Sequence, residues 1–137
     1  MEMLNAYVNR GSGTANFPYL VTPDTALQNQ AIADGSRYES IFDNYAWTSI
    51  ETLVSQDSVT TIVFVNADSG EGYLSPDGNE GDRNNLTLWQ DGDALIKNVS
   101  SLCNNTIVVI HSTGDFLIYE TWRVDNTNRG ILQVPPS

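Results

Sequence analysis

The sequence predicts one α/β domain whose mainly parallel β-sheet is flanked by helices, in a three-layer arrangement. Two runs, VTTIVFVN (59–66) and NTIVVIHS (105–112), are short, β-branched and apolar on both faces, which is typical of strands buried in a parallel sheet. Helical patterns alternate with such runs along the chain, and this alternation indicates a parallel sheet covered on both faces. The length of 137 residues suits a single domain with its own hydrophobic core.

The chain is predicted to begin with an irregular extended arm over residues 1–21, and the α/β domain is predicted to occupy residues 22–137. The first helix of the domain has clear boundaries in the sequence. Thr22 is a suitable N-cap, Pro23 suits the first helical position, and Gly35 suits a C-terminal stop. Together these residues predict a short helix directly after the arm.

A strand and a second helix are predicted next. The segment SRYESIFDNY (36–45) is predicted as a strand with Tyr38 and Phe42 on one face. The segment AWTSIETLVSQ (46–56) is predicted as a helix, because its apolar residues recur at helical spacing. These residues are Trp47, Ile50, Leu53 and Val54.

The C-terminal half continues the alternation. DGDALIKNVSSL (91–102) is predicted as a helix, and FLIYETW (116–122) is assigned to a further helix, although its pattern is ambiguous. GILQV (130–134) is predicted as a short final strand. The inner stripe of the helix over 91–102 is predicted to consist of Leu95, Ile96, Val99 and Leu102.

The charge composition excludes several classes of partner. The chain has seventeen acidic and six basic residues, which gives a formal net charge of −11. Nucleic acids and anionic membrane surfaces require clustered Lys and Arg, so neither is predicted as a partner. A neutral ligand such as a sugar is unaffected by this charge. The single cysteine, Cys103, cannot form an intrachain disulfide and is interpreted as a small buried hydrophobic residue.

Two observations point in opposite directions on cellular location. The N-terminal segment MEMLNAYVNR lacks the basic start and the apolar stretch of a signal peptide, so the chain as it stands is predicted to be cytoplasmic. Three N-x-[ST] sequons, at Asn85, Asn98 and Asn104, are glycosylation candidates and hint at a secreted ancestor. The location is therefore left open.

A long polar loop, VNADSGEGYLSPDGNEGDRN (65–84), begins at the carboxyl end of the first buried strand. Loops of this length are usually functional, and ligands of open α/β sheets bind outside the carboxyl ends of strands. His111 and Ser112 end the next strand and are expected at the same edge. His111, the only histidine, is interpreted as either a hydrogen-bonded structural residue or a base.

Several chemistries fit the loop poorly. Ser69 lacks the G-x-S-x-G context of a hydrolase nucleophile because Ala67 replaces the first glycine. No lysine follows the glycines, so a phosphate-binding P-loop is not indicated. The spacing of Asp77, Asn79 and Asp82 fails the EF-hand pattern. Neither a cofactor nor a metal site is predicted.

Glu71 is the loop residue whose surroundings suit catalysis best. It lies between Gly70 and Gly72, so other groups can approach it closely, and the aromatic Tyr73 is two residues away. A proton donor beside a stacking platform suits a sugar. An ordinary exposed loop acid remains an equally good interpretation from the residues alone.

Longer stretches carry a family resemblance. IVFVNADSGEGY, DGNEGDRNNLTLW, DGDALIKNV and NNTIVVIHSTG resemble the second, α/β-sandwich domain of fungal β-glucosidases in glycoside hydrolase family 3. GSGTANFPYLVTP resembles the entry to that domain. The resemblance is strong over residues 11–114 and weaker through DNTNRGILQV. It implies a carbohydrate-metabolic hydrolase that removes terminal β-D-glucosyl residues with retention, an activity used in cellulose degradation.

The resemblance also implies roles for individual residues. Glu71 corresponds to the catalytic acid/base in the family's D-S-G-E-G-Y segment, and Tyr73 flanks the aglycone subsite. The loop residues Asp68 and Ser69 are predicted to bind substrate. In the segment G-D-R, Asp82 and Arg83 are expected to brace the loop through a charge-assisted pair. Glu80, in the same loop, stays open as an alternative acid.

The family's nucleophile, an aspartate, comes from a separate barrel domain that this sequence lacks. A retaining glycosidase needs two carboxyl groups about 5 Å apart, so the isolated chain is expected to be weak or inactive. Two alternatives stay open: a non-catalytic carbohydrate-binding or regulatory protein, and a domain repurposed for another small molecule or partner. A homodimer through the surface that would face the barrel could bring in a second carboxylate. Candidates for that group within the loop are Asp68, Asp77, Glu80 and Asp82.

Overall fold

The computed structural model describes residues 18–70, 72, 75, 78–112 and 114–116, and the backbone of residues 130–134. The chain divides into two compact units, Met1–Phe42 and Asp43–Ser137, which are considered separately. The predicted arm over residues 1–21 lies mostly outside the described residues, so its boundary with the domain stays a prediction. Among the described residues, no helix combines the length and the apolar composition that crossing a membrane requires.

Helix α1, Pro23–Asp34, begins and ends where the sequence predicts. The Thr22 side-chain oxygen accepts a hydrogen bond from the backbone N–H of Thr25 at 3.1 Å, which satisfies one of the donors left open at a helix N-terminus. Gly35 adopts the left-handed conformation with φ of 68°, and this conformation lets the chain leave the helix without a Cβ clash.

Replacing Thr22 by Ala is expected to destabilise α1 by about 1 kcal/mol, because the N-terminal turn loses its side-chain acceptor. Hydrogen exchange at the Thr25 amide should then accelerate about fivefold. Thr22→Ser keeps the oxygen and should leave the exchange rate close to that of the parent chain. Equal rates in Thr22→Ala and Thr22→Ser would show that the cap does not stabilise the helix.

The strand predicted over residues 36–45 is wrong. Residues 36–45 are all described, and none of them belongs to a strand. Tyr38 instead donates a hydrogen bond from its hydroxyl to Asp24 Oδ1 at 2.8 Å, and Phe42 is 76% exposed. A strand needs a neighbouring ladder, and the local spacing of aromatic residues could not reveal that the ladder is missing.

The second unit contains two amphipathic helices, α2 (Trp47–Val54) and α3 (Gly92–Leu102). The predicted inner stripes are largely confirmed. The stripe residues that are buried are Ile50, Val54, Leu95, Ile96 and Val99. Trp47 and Leu53 are half-buried. Leu102 is exposed at 46%: it is the last residue of α3, and the adjacent Cys103 is buried instead, as the sequence predicts.

The sheet confirms the predicted α/β class. It contains β1 (Thr61–Ala67), β2 (Thr106–Ser112) and β3 (Gly130–Val134), in that spatial order. Both pairings are parallel, and the last strand coincides with the predicted GILQV. The predicted helix over residues 116–122 lies outside the described residues, apart from Phe116.

The two faces of the sheet differ in burial. On one face Val65 of β1 lies in register with Ile110 of β2, and Ile110 is completely buried. Helix α3 packs closely here, since a Cβ at Gly92 would lie 3.2 Å from Val65 Cγ1. On the other face Phe64 is 39% exposed, so β1 is less deeply buried than its two-sided apolar pattern predicts.

Candidate functional site

The candidate site lies at the carboxyl ends of β1 and β2. Asn66 is in register with His111, and Ala67 with Ser112, so the polar loop leaves the sheet beside the end of β2. Ser112 is buried, whereas the His111 side chain is exposed. The predicted placement of these residues at one edge of the sheet is therefore what the structure shows.

The loop folds back on itself through its backbone. Gly70 N donates to Gly81 O at 2.8 Å, and Gly72 N donates to Glu80 O at 2.6 Å. We call Gly70 with Gly72 on one side, and residues 80–81 on the other, the paired arms. The arms are so close that a Cβ at Gly70 would overlap Asn79 O and lie 2.6 Å from the carbonyl carbon of Glu80. Glycine is therefore required at position 70.

Three of the predicted site residues, Glu71, Tyr73 and Asp77, lie outside the described residues. The described backbone on either side of position 71 is held by the two hydrogen bonds of the paired arms.

The other acidic loop residues are described. Asp68 is half-buried, and its Oδ1 accepts from the N–H of Ser69 at 2.9 Å. This is a short-range bond typical of a carboxylate that shapes its own turn. Glu80 and Asp82 are exposed. Among the described residues, no group of three or more His, Cys, Asp or Glu side chains could hold a metal ion.

Arg83 contacts the end of β2, but its partners differ from the predicted one. Its Nη1 donates to Ser112 Oγ at 3.1 Å and to Asp115 O at 3.0 Å, and its Nη2 donates to Thr87 O at 3.0 Å. Among the described side chains, Arg83 and Asp82 form no ion pair, whereas Arg37 and Glu39 do. The expected charge-assisted pair is corrected to a set of neutral oxygen acceptors.

A cleft of about 510 Å³, a volume typical of small-molecule pockets, opens beside the loop at the start of α3. Its lining residues are Tyr45, Thr87, Leu88, Trp89, Gln90, Asp91 and Asp93. Gln90 and Asp91 have φ of 51° and 58°, a conformation that non-glycine residues rarely adopt. This cleft is not predictable from the sequence, because two consecutive left-handed residues of ordinary type leave no recognisable pattern.

Asp93 lines the cleft and is partly buried. Its Oδ2 accepts from Leu88 N at 2.8 Å, and its Oδ1 is buried without a hydrogen-bond partner. Burial raises the pKa of Asp93 above its usual value, and the charge of Asp91 raises it further. The backbone hydrogen bonds from Leu88 and Asp93 itself, and the charge of Arg83, act in the opposite direction without cancelling the rise.

This raised pKa predicts a pH effect on stability. The folded chain holds the Asp93 proton to a higher pH than the unfolded chain, so the contribution of Asp93 to stability falls as the pH rises from 3.8 through the folded-state pKa. Asp93→Asn should therefore gain stability relative to the parent chain as the pH is raised across this interval. Urea unfolding at several pH values measures the difference, with the exposed Asp57→Asn as the charge-matched control. A pH-independent difference would contradict the prediction.

The three candidate glycosylation residues, Asn85, Asn98 and Asn104, are all exposed. The Asn85 side chain is also held by the threonine of its own sequon, since its Oδ1 accepts from Thr87 N at 3.1 Å and from Thr87 Oγ1 at 2.8 Å. The fold thus leaves room for a glycan at each position, and modification at these residues stays a prediction.

Comparison with known proteins identifies the family. Residues 3–135 match the family described as glycosyl hydrolase family 3 C-terminal domain. The chain belongs to this family. The match covers nearly the whole sequence, including both units, so the resemblance seen in the loop and strand motifs is confirmed.

Individual relatives are fungal β-glucosidases. The chain is 58% identical over 118 residues to probable beta-glucosidase A of Neosartorya fischeri and 59% identical over 110 residues to beta-glucosidase 1 of Aspergillus aculeatus. These matches cover 86% and 80% of this chain. The solved structure of Chaetomium thermophilum beta-glucosidase is similar over 91% of this chain, with a TM-score of 0.82 and 64% identity.

This family 3 chain spans only a small part of the length of these relatives. It covers 13% of the two Neosartorya and Aspergillus proteins and 15% of the Chaetomium chain. The family and the α/β fold therefore follow from the comparisons, and the activity of the complete relatives is a separate question for this chain.

Proposed function

We propose that this chain is the acid/base-bearing part of a retaining β-glucosidase, with Glu71 as the acid/base. One observation carries the proposal: at the carboxyl end of β1, the paired arms hold the backbone on both sides of position 71 through Gly70 and Gly72. Membership of family 3 supports it. Defined backbone on both sides of position 71 suits a general acid, because such a group must be held in place beside its substrate.

The proposed chemistry has two steps. In the first, Glu71 gives its proton to the glycosidic oxygen while a carboxylate from a second domain attacks the anomeric carbon, and the alcohol leaves. In the second, the Glu71 carboxylate takes a proton from water, and the resulting hydroxide releases glucose from the second domain's carboxylate. The net reaction is hydrolysis with retained configuration.

The remaining loop residues have roles in binding. Asp68 and Ser69 lie at the start of the loop, where β1 ends, and are proposed to contact the glucoside. Tyr73 is proposed to flank the aglycone. A neutral glucoside suits a chain with a net charge of −11, because it bears no charge to be repelled.

Activity is proposed to depend on a partner domain. The chain supplies one carboxyl group of the pair, and both groups are needed about 5 Å apart. Burial against a partner domain would also raise the pKa of the acid, which keeps a carboxyl protonated near neutral pH. The isolated chain is therefore expected to hydrolyse glucosides very slowly.

A chimeric enzyme tests the proposal. The aligned segment of the Chaetomium thermophilum beta-glucosidase is replaced by this chain, to which it is 64% identical. We expect the chimera to hydrolyse aryl β-glucosides and cellobiose, whereas the chain alone shows no turnover above its Glu71→Gln variant. A chimera that is folded by circular dichroism and binds glucose, yet is inactive, would contradict the proposed function.

A further inference from the structure

Arg83 connects the loop to three separate backbone segments. Its guanidinium donates to Ser112 at the end of β2, to the carbonyl of Asp115 beyond that strand, and to the carbonyl of Thr87 before α3. All three distances lie between 3.0 and 3.1 Å, which is good hydrogen-bond geometry. The planar fork of an arginine can reach acceptors in several directions at once, and a lysine ammonium lacks this fixed geometry.

The acceptor at the end of β2 is itself held in place. Ser112 is 5% exposed, and its hydroxyl donates to Gly114 O at 2.6 Å. The same oxygen accepts from Gly114 N at 3.3 Å and from Arg83. One donor and two acceptor positions are thus all used, so the hydroxyl is oriented with a lone pair towards the guanidinium.

One nitrogen atom of the Arg83 guanidinium is left unsatisfied in this position. Its Nε is buried and has no hydrogen-bond partner, and the three acceptors described above are neutral. Burying a donor without a partner is unfavourable, and the carboxylate of Asp93 interacts with Arg83 through its charge but not through a hydrogen bond. Unsatisfied buried groups in native structures call for an explanation, and the position of Arg83 in the loop provides one.

Arg83 lies two residues after Gly81, which belongs to the paired arms. Gly81 O and Glu80 O accept the hydrogen bonds from Gly70 and Gly72. A continuous connection therefore runs from β2 through Arg83 to the arm at 80–81, and from there by hydrogen bonds to Gly70 and Gly72. We propose that Arg83 is a positioning residue that anchors the paired arms to β2 and thereby fixes the backbone on both sides of position 71. Its catalytic consequence rests on the proposed role of Glu71.

Hydrogen exchange in this chain tests whether Arg83 anchors the paired arms, and the test needs no enzymatic activity. Arg83→Met keeps much of the aliphatic side chain and removes all three hydrogen bonds. Hydrogen exchange at the Gly70 and Gly72 amides should accelerate by about tenfold or more, since hydrogen bonds to charged groups are among the stronger ones. Exchange at Val63 and Val65 in β1 should not change. Arg37→Met, which removes the same charge in the first unit, should leave all four amides unaffected.

The chimera measures the consequence for catalysis. Arg83→Met should lower kcat with little change in KM, because the acid is misplaced while the remaining glucose contacts are kept. Arg83→Lys should not restore kcat, since it keeps the charge but not the fork. If Arg83→Lys restored kcat fully, the positive charge alone would be sufficient, and the proposed positioning by the guanidinium fork would be wrong.

The outcomes of the two experiments decide whether Arg83 anchors the paired arms. Selective loss of protection at Gly70 and Gly72, with reduced kcat, supports the anchor. Unchanged protection, or equal loss throughout β1, overturns it, because Arg83 would then be dispensable or generally structural. If the parent chimera is inactive, the proposed function fails, and the exchange measurement alone still supports or overturns the anchor.

Discussion

Glu71→Gln in the chimera is expected to lower kcat/KM for cellobiose by about 10²- to 10⁴-fold, the usual contribution of a general acid–base catalyst. Glutamine has nearly the same size and shape, but its amide cannot supply the proton that the leaving glucose oxygen requires. The measurement is the initial rate of glucose release at several cellobiose concentrations. Circular dichroism and the thermal midpoint establish that the variant is folded like the parent.

Glu80→Gln is the matched control for this change. Glu80 is an exposed acid of the same loop, and its backbone carbonyl, which accepts from Gly72 N, is unaffected by the substitution. We expect Glu80→Gln to keep kcat/KM close to that of the parent chimera. The reverse pattern, with a large loss in Glu80→Gln and none in Glu71→Gln, would assign the acid to Glu80 and contradict the proposed role of Glu71.

Gly70→Ala is expected to lower kcat of the chimera by about 10²-fold, the effect of misplacing a catalytic group by about 1 Å. The new Cβ would overlap Asn79 O and crowd the carbonyl carbon of Glu80. Both are backbone atoms, so no side-chain rotation relieves the overlap, and the paired arms must separate. The measurements are kcat in the chimera and amide exchange of Gly72 in this chain.

The control for Gly70→Ala is Gly81→Ala in the opposite arm. A Cβ at Gly81 meets nothing within 4 Å, and no left-handed φ is found there, so alanine should be tolerated with kcat nearly unchanged. Equal losses in the two variants would mean that the loop responds to any added methyl group. That result would contradict the specific contact between Gly70 and the opposite arm.

Much of the fold is predictable because its determinants are local. The start and end of α1 follow from Thr22 and Gly35, whose side-chain oxygen and missing Cβ act within one turn. The strands β1 and β2 follow from continuous β-branched runs. Residues 36–45 fail as a strand, because their state depends on a ladder that no local pattern specifies.

The site is less predictable than the fold. The resemblance predicts the role of Glu71, and the parallel order of β1 and β2 brings Ser112 beside the start of the loop. The partners of Arg83 are carbonyl and hydroxyl oxygens up to 32 positions away, and every residue type offers a carbonyl, so sequence cannot select among them. A pairing with Asp82 is the natural expectation from charge alone, and the three-dimensional position of Ser112 decides otherwise.

The burial of Asp93 illustrates the same limit. From the sequence, Asp93 is only one residue of the helix predicted over residues 91–102. In the structure it also accepts from Leu88 N, and burial raises its pKa. Asp93 follows a turn through Gln90 and Asp91, whose left-handed conformations no local pattern in the sequence indicates.

The dependence of the Glu71→Gln effect on the leaving group tests the central claim most directly. The chimera and its Glu71→Gln variant are compared by kcat/KM, which reports the steps up to formation of the glycosyl–enzyme, on cellobiose and on a dinitrophenyl β-glucoside. A dinitrophenolate leaves without a proton, so an acid at Glu71 predicts a large loss on cellobiose and little loss on the dinitrophenyl substrate. Equal losses on both substrates would contradict the assignment of Glu71 as the proton donor.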